Sequence, residues 1–194
     1  MQKTLDNVKK TNYEFLMTLA TCNKPIVTVV RGCAIGIGFT MSAHSTFMYC
    51  SPDAKFNTPF MKSCQSPEGT STLLFPQQFG TRLANEILLT DKWVTAKEAL
   101  AVGFANGIVD KFDPNIDELN PDWFPVIPKL LATDLDTIVN CMRLLNEAKD
   151  LKKISEVTSR EQEALYNIWM DPNFFPKMVK FMGALKQKRT GKNE

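Results

Sequence analysis

The 194-residue sequence has little of several features on which whole classes of protein depend. It has a single histidine, His44, so chemistry with a histidine base rests on one side chain. His44 follows a glycine turn in an apolar stretch, and we interpret it as a satisfied core or surface histidine. The five cysteines are an odd number without a C-x-x-C pair. This argues against a disulfide framework or a metal site and favours a reducing compartment.

The sequence also lacks a strong net charge and a long apolar run. Its formal charge of +2, and the absence of an aromatic platform beside the basic residues near the C-terminus, argue against nucleic acid as a partner. No apolar run reaches the roughly 20 residues of a transmembrane helix. The start shows no signal-peptide core, and the terminal GKNE is not an SKL-type signal. From these absences we expect a mitochondrial location, with the peroxisome as the alternative.

The first two thirds of the sequence alternate helix and strand signals, which predicts the α/β class. Residues 3–21 have the apolar spacing of an amphipathic helix, and Pro25 lies just beyond its end. The β-branched run at 26–30 predicts a buried strand of a parallel sheet. Further strands are predicted at 46–50, 55–58 and 108–109. Helices are predicted at 39–45, from 69 until Pro76 interrupts the helix, at 82–89, and from a capping box at 95–98 to Gly103.

The last third of the sequence reads as helical. Residues 113–128 carry four prolines and are interpreted as a connector. Helices are predicted at 130–148 and 155–170, and a final helix is predicted with Asp171 as its N-cap and Pro172 as its first residue. Apolar stripes on these helices are typical of a core or a subunit interface.

The stretch from Arg31 to Glu68 contains the candidate site. A strand leads into the turn Gly36-Ile37-Gly38 and then into a helix. The first N–H groups of a helix lack internal partners and can hold a developing negative charge. A lone carboxylate, Glu68, follows, and this layout suits an oxyanion that forms while a proton moves. By themselves, the glycines are more typical of close packing or a tight turn, and Glu68 is more typical of an acid favoured by a helix dipole.

Several segments together resemble the crotonase (enoyl-CoA hydratase/isomerase) superfamily: KPIVTVV at 24–30, AIGIG at 34–38 and AKFNTPF at 54–60. Within it, QSPEG at 65–69 and WVTAKEA at 93–99 resemble the Δ3,Δ2-enoyl-CoA isomerases of peroxisomes and mitochondria. The resemblance implies an α/β fold, with a truncated crotonase-type ββα spiral over residues 1–125 and a helical trimerisation region over residues 126–194. It further implies an acyl-CoA thioester as substrate, no cofactor, no metal, and a homo- or hetero-oligomer or a larger complex.

The resemblance also assigns roles to individual residues. Family members hold the thioester oxygen with two backbone N–H groups, one of them at the position of Ile37. The isomerases use one glutamate, at the position of Glu68, which removes a proton at C2 and returns one at C4. Apolar surroundings are expected to exclude water and raise the pKa of this carboxyl. The predicted pocket comprises Gly36, Gly38, Phe60, Ser66 and Pro67.

Two departures from the family pattern shape the functional hypotheses. The two glutamates of the hydratases fall at Thr40 and Phe60, so water addition is not expected. Strands that supply the second oxyanion N–H are missing, and we expect them to come from another polypeptide or from outside this sequence. One hypothesis is therefore an enoyl-CoA isomerase. The other is a catalytically degraded crotonase-like subunit of a larger, mitochondrial assembly.

Overall fold

Within residues 2–110 and 123–190, the part of the chain that this computed structural model describes, short strands form two separate sheets. The first sheet is parallel and has the order β1 (Val27–Val30), β3 (Phe47–Cys50), β6 (Gly107–Ile108). The second sheet has the order β2 (Cys33–Ile35), β4 (Lys55–Asn57), β5 (Val94–Thr95). In it, β4 is parallel to β2 and antiparallel to β5. The strands β1 to β4 alternate between the sheets, as a ββα spiral requires.

The strands agree with most of the sequence predictions. The strands predicted at 26–30, 46–50, 55–58 and 108–109 correspond to β1, β3, β4 and β6. The strands β2 and β5 were not predicted, because three and two residues are too short to show a period. β1 is less buried than predicted. Only Val30 is buried, since β1 is the outer strand of its sheet among the described strands.

The helices of the spiral also follow the sequence, with two corrections. They are α1 (Gln2–Ala20), α2 (Ile37–Thr40) followed by a 3-10 turn (Met41–His44), α3 (Ser71–Phe79), α4 (Thr81–Thr90) and α5 (Ala96–Ala101). The helix predicted at 39–45 begins two residues earlier, directly after Gly36. Pro76 does not interrupt α3, which continues to Phe79. The capping box of α5 is confirmed, because Thr95 and Glu98 each bond the other's backbone N–H.

A cluster of phenylalanine rings forms the centre of the core and anchors α2. Phe39, in α2, is fully buried. Its ring centroid lies 4.7 Å from that of Phe75 in α3 and 5.2 Å from that of Phe56 in β4. Burying one such side chain contributes about 2–3 kcal/mol. The first turn of α2 is therefore held to both the second sheet and α3.

The C-terminal helices begin and end at residues that local hydrogen bonds select. They are α6 (Val126–Leu131), α7 (Leu135–Glu147), α8 (Leu151–Met170) and α9 (Phe174–Thr190). The single helix predicted at 130–148 is wrong, because Asp134 accepts the N–H of Thr137 at 3.0 Å and starts a new helix. The prediction that the final helix begins at Pro172 with Asp171 as its N-cap is also wrong. The helix begins at Phe174, since Asp171 accepts the N–H of Asn173 in a turn before it.

Two further sequence predictions are the connector at 113–128 and the boundary between the spiral and the C-terminal helical region. Residues 113–122 of the predicted connector lie outside the described residues, and α6 occupies the last positions of that connector. The division into regions 1–125 and 126–194 stays a prediction.

Helix α8 attaches the C-terminal region to the spiral. It packs against α1, where the hydroxyls of Tyr13 and Ser155 lie 2.8 Å apart, and against α3. Among the described helices, none is long and apolar enough to cross a membrane.

Candidate active site

A cleft of about 410 Å³ lies where the spiral meets the C-terminal helices. Four predicted site residues line it together: Gly36, Ile37, Phe60 and Glu68. The other lining residues come from α1, from the loop after β4 and from the apolar faces of α8 and α9: Asn12, Pro59, Ser63, Gln65, Leu165, Trp169, Met178, Phe181 and Met182. The size and the mostly apolar lining are typical of a small-molecule site.

The glycine turn presents bare N–H groups at this cleft. Gly36 has φ 59° and ψ −126°, a conformation that L side chains rarely adopt, and its own N–H donates to the carbonyl of Asn57 at 2.9 Å. Ile37 is the first residue of α2. Within the described part of the chain, no acceptor takes the N–H of Ile37 or of Gly38. Of these two residues Ile37 lines the cleft, so its N–H is available to a bound oxygen atom.

The Glu68 side chain is buried beside α2. It is 9% exposed, and Thr40 donates its hydroxyl to Glu68 Oε1 at 2.9 Å. Burial raises the pKa of Glu68 to about 7; the Thr40 hydrogen bond opposes this rise, and the nearby Glu161 carboxyl adds to it. Both protonation states of Glu68 are therefore populated near neutral pH.

The backbone after Glu68 fits closely against Thr40 and His44. Gly69 has φ +74°, and a Cβ atom there would lie 2.3 Å from Thr40 Oγ1. His44 Nε2 lies 3.1 Å from the Gly69 carbonyl, and because a carbonyl only accepts, this nitrogen carries a proton. Burial lowers the pKa of His44, the Gly69 bond opposes this, and Lys149 adds to the lowering. His44 is thus a satisfied structural histidine, as predicted.

The acid at the N-terminus of α3 is Glu161, a residue that the sequence analysis did not single out. Its Oε2 accepts the N–H of Thr70 at 2.6 Å, and its Oε1 accepts the N–H of Thr72 at 2.9 Å. The sequence analysis gave an acid at a helix N-terminus as the alternative role for Glu68. At α3 this role belongs to Glu161 of α8. Nothing local in the sequence places residue 161 beside residue 70.

The remaining predicted residues lie near the cleft without lining it. Gly38 is inside α2, and Ser66 and Pro67 precede Glu68 in the loop. Ser66 Oγ is buried and has no hydrogen-bond partner among the described residues. Any part that these three residues have in binding a substrate stays a prediction.

The residues of α8 and α9 that line the cleft were predicted only as core or interface. Their signal was an apolar stripe, and such a stripe does not indicate what it packs against.

All five cysteines are free. Across residues 2–110 and 123–183, no three histidine, cysteine or acidic side chains come together as metal ligands.

The spiral and its cleft define the class of protein. A model of the enoyl-CoA hydratase/isomerase family matches residues 1–181, and the chain belongs to this family. An enoyl-CoA hydratase/isomerase from Pseudoalteromonas atlantica T6c superposes with a TM-score of 0.75 at 25% identity, covering 90% of this chain and 66% of that one. The predicted crotonase-type fold is confirmed.

Curated relatives of the chain carry more than one kind of name. Enoyl-CoA delta isomerase 2 of Rattus norvegicus is 31% identical over 172 residues, which are 87% of this chain and 42% of that protein. The chromodomain Y-like protein of the same species is 27% identical over 175 residues, 87% of this chain and 28% of that protein. The chain thus spans less than half the length of these relatives.

Proposed function

We propose that this chain is an enoyl-CoA isomerase, which moves the double bond of a 3-enoyl-CoA to the 2-trans position. One observation carries the proposal. A buried carboxyl, Glu68, whose pKa is raised to about 7, lines the same cleft as the unpaired N–H of Ile37. The similarity to a named enoyl-CoA delta isomerase supports it.

The reaction needs one group that first accepts and then donates a proton. As a carboxylate, Glu68 takes the proton from C2 of the acyl chain, and the electrons move onto the thioester oxygen to form an enolate. The protonated Glu68 then returns the proton to C4, and the double bond forms between C2 and C3. Because a general acid–base group works best with a pKa near the working pH, a value of about 7 suits both steps.

The enolate oxygen requires hydrogen-bond donors that are in place before the reaction. The N–H of Ile37 is one such donor, held by the burial of Phe39 two residues later. Losing a donor of this kind typically costs about 3–4 kcal/mol in the barrier. The family resemblance implies a second backbone donor beside that of Ile37. We propose that an oligomer or a partner subunit supplies this donor.

Hydration is not part of the proposal. A hydratase adds water with two carboxylates, and Thr40 and Phe60 stand at their positions by the family resemblance. Thr40 uses its hydroxyl to bond Glu68, and Phe60 is 3% exposed and apolar. Neither side chain exchanges protons near neutral pH.

The direct test is turnover of the purified chain, in the oligomeric form in which it is isolated. We expect conversion of 3-enoyl-CoA to 2-trans-enoyl-CoA, and loss of that conversion in Glu68→Gln. The matched control is Glu86→Gln, since Glu86 is exposed and lies outside the cleft. Full activity in Glu68→Gln would contradict the role proposed for this residue.

A second candidate function is a non-catalytic subunit with a degraded crotonase site. One observation favours it: relatives of comparable identity carry names other than enoyl-CoA isomerase, among them the chromodomain Y-like protein. The native molecular mass separates the two candidates. A lone monomer or a plain homotrimer with turnover rules out the subunit role, whereas an inactive chain that co-purifies in a larger complex supports it.

We also propose a mitochondrial location, with the peroxisome as the alternative. Free thiols at all five cysteines are compatible with either reducing compartment. Imaging of the full-length natural protein beside markers of both organelles decides between them.

A further inference from the structure

We propose that Glu161 is a positioning residue for Glu68, which holds the backbone that follows Glu68 and presents a second negative charge to its carboxyl group. The inference rests on the proposed function, because a positioned Glu68 affects turnover only if it carries the proton. Glu161 lies 93 positions along the chain from Glu68, on helix α8.

The contacts of Glu161 cover the first residues of α3. Its carboxylate accepts the N–H of Thr70 at 2.6 Å, the N–H of Thr72 at 2.9 Å and the hydroxyl of Thr72 at 2.6 Å. One turn earlier in α8, Thr158 bonds the hydroxyl of Thr70 at 2.8 Å. Because the Thr158 hydroxyl donates to the Ile154 carbonyl, the proton between the two threonines belongs to Thr70.

Segment 68–72 is thus fixed from two sides. α8 holds its backbone through Glu161, while the 3-10 turn holds the Gly69 carbonyl through His44 and α2 holds the Glu68 carboxyl through Thr40. Glu161 is 6% exposed, so its hydrogen bonds are shielded from water and replace hydration that the carboxylate has lost. A shift of α8 would move the proton carrier relative to the Ile37 N–H.

Glu161 is the charged group that the titration of the Glu68 carboxyl should sense, in addition to the larger effect of burial. The 3-10 turn contributes His44, whose pKa is lowered, and Lys149 after α7 faces that histidine. Towards the cleft, α1 presents the uncharged Asn12, and α9 presents apolar side chains. Within the described residues no cation pairs with Glu68; burial raises its pKa, and the Glu161 carboxyl adds to the rise. Burial also raises the pKa of Glu161, while the hydrogen bonds from Thr72 and Thr70 favour its charged form.

The test is a ¹³C NMR titration of the full chain carrying carboxyl-labelled glutamate, with the Glu68 signal assigned by its loss in Glu68→Gln. We expect a midpoint near pH 7 in the unmodified chain and a lower midpoint in Glu161→Gln. The control Glu156→Gln removes an exposed carboxylate of the same helix and should leave the midpoint unchanged. An unchanged midpoint in Glu161→Gln overturns the proposal. This readout needs no turnover, so an inactive chain refutes the isomerase function without affecting the titration.

A second variant separates position from charge, and it replaces the first if Glu161→Gln does not fold. Glu161→Asp keeps the charge on a side chain one methylene shorter, which we expect not to bond both the Thr70 and Thr72 N–H groups. We expect the Glu68 midpoint to stay near that of the unmodified chain, while kcat falls about tenfold to a hundredfold and KM changes little. A kcat equal to that of the unmodified chain in Glu161→Asp refutes the positioning role.

Discussion

Replacing Glu68 by glutamine should stabilise the protein at alkaline pH. The pKa of Glu68 is raised from its ordinary 4.5 to about 7, mainly because burial disfavours the charged form. A carboxyl whose pKa is higher in the folded than in the unfolded chain adds stability at low pH, and this stability is lost as the pH rises through the folded pKa. Glutamine does not ionise, and its carbonyl oxygen can still accept the hydroxyl of Thr40.

The size of the effect follows from the pKa difference. Each unit of pKa difference between the folded and unfolded chains corresponds to about 1.4 kcal/mol. Ionising the buried Glu68 carboxyl therefore lowers the free energy of unfolding by about 3 kcal/mol once the pH is above 7. Below pH 4.5 the carboxyl is neutral in both states, and the two proteins should be nearly equal. The advantage of Glu68→Gln therefore grows between these two values.

Urea unfolding of both proteins at about pH 4 and about pH 8.5 measures this difference, since the midpoints and slopes give the free energies of unfolding. Comparing the two proteins at the same pH cancels the titration of the groups that do not interact with Glu68. The control Glu86→Gln changes an exposed glutamate, and its difference in stability from the unmodified chain should be similar at both pH values. We expect the stability advantage of Glu68→Gln over the unmodified chain to be larger at about pH 8.5 than at about pH 4. An equal or smaller advantage at the higher pH refutes the reasoning.

Three further substitutions test the surroundings of Glu68. Thr40→Val removes the hydroxyl that lowers the pKa of Glu68, so the acidic limb of the pH–rate profile should move to higher pH; a limb at its original pH contradicts this. Gly69→Ala should destabilise the fold by about 1–3 kcal/mol more than Gly103→Ala in urea unfolding, because both glycines have positive φ but only Gly69 abuts a side chain. Because the pKa of His44 is lower in the folded chain than in the unfolded chain, the unmodified chain loses stability as the pH falls from about 7.5 to about 5. Glutamine does not titrate, so His44→Gln should lose less stability over this range. Equal losses in urea unfolding would show that the histidine does not contribute.

Most of the fold could be predicted from local patterns. The period of α1, the apolar runs of β1 and β3 and the capping box of α5 each depend on neighbouring residues, so sequence reasoning located them to within a few residues. The misses have local causes as well. The strands β2 and β5 are too short for a period, and Asp134 ends an apolar pattern that otherwise continues. Its side-chain cap is a signal that could have been recognised.

The sequence by itself determined the glycine turn, the lone carboxyl at Glu68 and the family pattern that joins them. Each of these is a short motif whose geometry is set by its own residues. Only the tertiary structure decided that Glu68 is buried against Thr40, that Glu161 of α8 caps α3, and that α9 lines the cleft. These contacts join distant positions. The family resemblance predicted a raised pKa for Glu68, but its cause is the removal of solvent on folding, which only the tertiary structure shows.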